Sequence, residues 1–166
     1  MQEAQDLKNV ALITLVISLF VVVGADLFAQ VVIASTVLAE PPRSLEMFQG
    51  DYAYDSSGFL RVATSLTMLL FVIALALNWR TPRRWLLLTS CVGFVIINAL
   101  SFAFVFPEYL DIVSSAYSDT VDPDLQGRGA AWERIALVRW GAVVVLGVLL
   151  LLALARPTSD AVQAEA

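Results

Sequence analysis

Four apolar runs dominate this chain, at residues 10–38, 59–78, 85–106 and 132–155. A hydrocarbon core about 30 Å thick is crossed by about 20 helical residues, so each run is long enough to span a bilayer. Inside a membrane the backbone must satisfy its own hydrogen bonds, which leaves helices as the form for such runs. The expected fold is therefore all-α: an antiparallel four-helix transmembrane bundle forming one membrane domain over residues 1–156, followed by a disordered cytoplasmic tail at 157–166. Composition agrees, with 59% hydrophobic and only 15% charged residues, against about 45–50% and about 25% in soluble domains. A soluble enzyme is excluded. So is a nucleic-acid binder, which needs a basic patch where this chain carries a net charge of −5.

The first run, about 43 Å long as a helix, exceeds the bilayer and has to tilt or project until Pro41-Pro42 stops it. Its end, Val37-Leu38-Ala39, has the small-residue look of a signal-peptide cleavage site. A signal core is only about 7–15 residues long and follows a positive segment. Here Glu3 and Asp6 outnumber Lys8, so the run is expected to be a retained helix. Orientation follows from the connections. The 78–84 turn carries Arg80, Arg83 and Arg84 with no acid. The 39–58 loop sets Arg43 against Glu40, Glu46, Asp51 and Asp55, and the 107–133 segment sets Arg128 against six acids. The positive-inside rule puts the arginine turn and both termini in the cytoplasm. A multi-pass protein of the cell membrane is expected. The stretch from Leu45 to Asp55, with Met47, Phe48, Tyr52 and Tyr54, reads as an interfacial helix or a cap over the bundle, and Asp122-Pro123-Asp124 reads as a turn.

Residue counts narrow the chemistry. There is no histidine, and Cys91 is the single cysteine. An intrachain disulfide and a paired-thiol relay are excluded, and the usual haem, copper and zinc sites lose their main ligand. No metal and no cofactor is expected. What remains is the set of polar groups inside the spans, each costing about 2.5–3.5 kcal/mol on insertion scales. Converted to depth at 1.5 Å per residue, Asp26 lies about 25 Å above the cytoplasmic start of its helix, with Gln30 one turn higher. Asn98 lies about 20 Å up, with Ser101 a turn above it, while Arg61 is near the outer surface and Arg139 about 10–12 Å below it. All fall in the outer half, and the inner half offers only scattered hydroxyls. A channel or carrier, whose polar lining continues to both sides, is disfavoured.

Two readings of these groups stand side by side. In one, they line an outer-leaflet pocket for a lipophilic small molecule, with Asp26 as acid or base, Arg139 holding an oxyanion, and Gln30, Arg61, Asn98, Ser101 and Trp132 contacting the substrate. In the other, Asp26 pairs with Arg139 or Arg61 to fix helix register, Asn98 and Ser101 bond between helices, and the chain is a non-enzymatic accessory or structural subunit. Besides the lipid bilayer, a second copy or another membrane subunit is then the expected partner.

At the fourth run, Trp132-Glu-Arg-Ile-Ala-Leu-Val-Arg139 sets a Trp and an Arg seven residues apart on one helix face, and Gly24–Phe28 precedes an apolar run ending near Pro41. In these features the chain resembles a family of small four-helix membrane proteins that includes the fungal anthrone oxygenases. The resemblance implies the four-span topology, an oxygenase-like activity, and Trp132 and Arg139 as site residues.

Overall fold

The computed structural model describes residues 2–156; the tail expected at 157–166 lies outside the described residues. The described residues build four long helices, each long and apolar enough to cross a membrane: α1 (Gln2–Val37), α2 (Ser57–Asn78), α3 (Arg84–Val113) and α4 (Pro123–Ala155). Helix α1 packs against α2 and α4, and α3 against α4 and α2. No strand occurs among the described residues.

Helices α3 and α4 run well beyond their apolar runs, for local reasons. Asp122 does not close a turn. It is the N-cap of α4, its carboxylate accepting from the Asp124 and Leu125 N–H groups, with Pro123 in the first turn where its missing N–H costs nothing. Nor does α3 end at Phe106. Pro107 cannot donate to the carbonyl of Ala103 and would clash with it in a regular helix. The residues just before it, Ser101–Val105, form a π segment in which the Phe106 N–H reaches back five residues to the Ser101 carbonyl. The wider turn relieves the clash and carries the helix on to Val113. A second π segment, Ala29–Ala34, lies in α1. There the Ser35 and Thr36 hydroxyls donate back to the Val31 and Val32 carbonyls, a pattern that bends helices.

The main core is an aliphatic and aromatic column in which Leu12, Leu15, Leu19, Phe71, Phe94, Leu87 and Leu150 are buried. Phe71 and Phe94 meet at 5.3 Å between ring centroids. Within this column Ser18 and Thr67 share a 2.8 Å hydrogen bond between α1 and α2. Two smaller clusters lie where α1 ends. One joins Ala34 and Leu38 to Ile112, Trp132 and Ala136. The other joins Ile33 and Val37 to Leu45, on the 3-10 helix Arg43–Phe48. The stretch read as an interfacial helix or cap thus folds onto the helix ends, with Phe48 against Tyr54 and Tyr109 at 5.9 and 6.1 Å.

The outside of the four helices is apolar. Val138 is 75% exposed, Phe104 69%, Phe102 68% and Val62 68%. Apolar surface on this scale requires an apolar environment or a partner.

Candidate functional site

Asp26 and Arg139 meet between α1 and α4, each side chain only 16% exposed. One guanidinium nitrogen, Nη2, donates to both carboxylate oxygens of Asp26. The guanidinium carbon also stands 6.0 Å from the centroid of the Phe106 ring. Full desolvation of either charge alone would be prohibitive, and direct contact between opposite charges offsets that cost. The Nε–H of Arg139 is buried and has no acceptor among the described residues. Arg139 therefore meets Asp26 through a single nitrogen and leaves its buried Nε–H unused.

The indoles of α4 bracket this pair. Trp140 donates from Nε1 to the Val23 carbonyl at 3.0 Å, tying α4 to α1 just below Asp26. Seven residues before Arg139, the Trp132 Nε1–H donates to the Val105 carbonyl at 2.8 Å, at the end of the π segment of α3. Trp132 is buried, and its ring stacks on Tyr109 at 4.7 Å. A polar collar closes the same end. Arg128 donates to Glu108 at 2.8 Å and to Asp111 at 2.6 Å. Gln126 donates to the Ala39 carbonyl at 2.7 Å, and the Asp122 N–H to that of Pro41 at 2.9 Å.

The other candidates do not gather at the pair. Asn98 donates to the Phe94 carbonyl at 2.8 Å and Ser101 to that of Ile97 at 2.7 Å, each inside its own helix. Gln30 is half-buried in the π segment of α1 and makes no side-chain hydrogen bond among the described residues. Arg61 is exposed at the start of α2, where its charge helps hold the Asp55 carboxyl below its ordinary range; the larger cause there is the Ser57 N–H and hydroxyl bonded to that carboxylate. Two surface clefts also lie elsewhere. One, about 500 Å³, is lined by Phe48, Pro107, Leu110, Asp111, Val113 and Ser114. The other, about 220 Å³, is lined by Trp79, Arg84, Trp85 and Leu88. Among the described residues no three carboxylates or thiols converge as a metal site would require.

Reasoning from the sequence missed Arg83, which it took only as a topology signal. Arg83 is 4% exposed. It donates to the Asn9 side chain at 2.6 Å and to the carbonyls of Arg156 and Leu154 at 2.9 and 3.3 Å. Those carbonyls close α4, so a cation sits at the negative end of a helix dipole. Burial pulls the Arg83 pKa below its ordinary value. No signal in the turn itself could have found it, because its partners lie more than 70 residues away.

Comparison of the chain with family models, with curated proteins and with solved structures gives no match.

Proposed function

We propose that this chain is a multi-pass protein of the cell membrane, an antiparallel four-helix transmembrane bundle with both termini in the cytoplasm, acting as a non-enzymatic accessory or structural membrane subunit. The observation that carries this reading is that, Gln30 apart, the polar candidates inside the bundle are consumed by the fold. Asp26 and Arg139 take each other, Asn98 and Ser101 take their own backbones, and both indoles take carbonyls of neighbouring helices. The ion pair and the two indoles, which bond between helices, hold them at fixed register, which is what a packing subunit needs. The arginines of the 78–84 turn and the acids of the other two connections support the orientation. A partner helix, from a second copy or another subunit, has a bare face on α4, where Val138 is exposed and Gly141 has open space around the position of a Cβ.

A second reading is favoured by one specific observation, the acceptor-less Nε–H of Arg139 beside two helices that both carry π segments. π segments recur at functional sites. In this reading a lipophilic small molecule enters from the outer leaflet, Asp26 serves as acid or base, and Arg139 holds an oxyanion. Gln30, Arg61, Asn98, Ser101 and Trp132 contact the substrate, and the resemblance to the anthrone oxygenase family gives the reaction its class.

A benzophenone side chain at position 141, photolysed in intact membranes, separates the two. A discrete adduct with one protein, a second copy or another subunit, is expected. Adducts with lipid alone, together with a stoichiometric small molecule carried by the wild type and lost in Arg139→Gln by native mass spectrometry, would replace the subunit reading with the ligand-binding one.

A further inference from the structure

The turn between α2 and α3 carries a cleft that none of the foregoing uses. It is about 220 Å³ and lined by Trp79, Arg84, Trp85 and Leu88. Two indoles, a guanidinium and one leucine make up its lining. The Arg84 guanidinium carbon stands 5.1 Å from the Trp85 ring centroid, which holds the charge at the rim. Trp79 and Trp85 are 53% and 61% exposed. Arg80 and Arg84 are exposed too, and neither is paired with a carboxylate among the described residues. The third arginine of the turn, Arg83, is already committed to the end of α4. One unpaired guanidinium and two indoles thus line a small hollow at the ends of two helices long enough to cross a membrane, with a second unpaired cation, Arg80, on the same turn.

We infer that this cleft is a binding site for the phosphate headgroup of an anionic phospholipid. A volume of about 220 Å³ accommodates a headgroup phosphate and not a whole lipid. Arg84 supplies the charge-assisted contact and Arg80 a second positive charge. Exposed indoles are suited to the interfacial depth at which such phosphates lie. Leu88 continues into Val92, four residues on and exposed on the same helix face, a track for one acyl chain. That apolar continuation selects a lipid over free phosphate as the source of the anion. The site rests on the membrane placement proposed above and is independent of the role given to Asp26 and Arg139.

The test is native mass spectrometry of the full chain, delipidated in detergent and titrated with dioleoyl phosphatidylglycerol or dioleoyl phosphatidylcholine. Each basic residue near an anionic lipid surface contributes enough for roughly a fivefold change in affinity. The first phosphatidylglycerol is expected to bind more tightly than phosphatidylcholine. Arg84→Gln should weaken it roughly fivefold, and Arg80→Gln with Arg84→Gln more than tenfold, with phosphatidylcholine unchanged. Arg43→Gln, in another connection, should have no effect, and unfolding temperatures matched to wild type confirm intact folds. Equal binding of the two lipids, or an undiminished preference in Arg84→Gln, would overturn the headgroup site while leaving the membrane placement intact. Displacement of phosphatidylglycerol by inorganic phosphate alone at millimolar concentration would overturn the lipid as the source. Failure to bind either lipid would count against site and membrane placement together.

Discussion

Arg83 and Arg139 are both guanidiniums held between helices, and they are satisfied by opposite means. Arg139 has a carboxylate, while Arg83 has only neutral acceptors: an amide oxygen and the last carbonyls of α4. Removing Arg83 leaves those carbonyls and Asn9 without a donor, and hydrogen bonds involving a charged group contribute about 1.5–3 kcal/mol each. Arg83→Gln is therefore expected to destabilise the bundle by about 3 kcal/mol in detergent unfolding, with Arg83→Lys recovering only part because it lacks the planar fork. None of this was legible from sequence, since Asn9 and Leu154 lie more than 70 residues from Arg83. Asp55 gives a pH effect of known sign. Its folded pKa is depressed, first by the Ser57 N–H, then by the Ser57 hydroxyl. A depressed carboxylate contributes stability that is fully present above its unfolded pKa and is lost as pH falls through the folded value. The protection of amides at the start of α2, taken relative to the intrinsic exchange rate at each pH, is thus expected to fall below about pH 4, and Asp55→Asn should remove that dependence.

At the scale of elements, all four helices were legible from the apolar runs, because a run of that length has one solution in a membrane. Their ends were not. The third apolar run stops at Phe106, just before a proline of the kind that breaks regular helices, yet the π segment Ser101–Val105 takes up the clash. Asp122 read as a turn because Asp and Pro serve both turns and N-caps, and only α4 beyond it decides between them. The joint between the end of α1 and α4 includes a close approach against a side-chain root. A Cβ on Gly129 would stand 3.2 Å from the Cβ of Leu38, which has no freedom to swing away. A Cβ on Gly127 meets nothing within 4 Å. Gly129→Ala should therefore destabilise by about 1–3 kcal/mol. Gly127→Ala should be neutral or stabilising by up to about 1 kcal/mol from helix propensity alone. The pair is read in one unfolding series.

For the molecule as a whole, the bundle is closed at one end by Arg83 on the final turn of α4. Toward the other it is closed by the Asp26–Arg139 pair beneath the Trp132–Tyr109–Phe48 stack. Depth arithmetic on the sequence brought Asp26 and Arg139 to compatible levels. It brought Asn98 and Ser101 there as well, although their side chains turn back to their own helix, because depth along an axis says nothing about rotation around it. The account turns on the ion pair being a lock between α1 and α4. A double-mutant cycle on the full chain in detergent, with Asp26→Asn and Arg139→Gln, measures this directly. Each single substitution is expected to cost about 3–5 kcal/mol, since it leaves one buried group without its partner, and the double variant should lose far less than the sum. An Asp26→Asn protein as stable as wild type or more so, with no coupling to Arg139, would contradict the lock and identify a carboxylate kept at the expense of the fold.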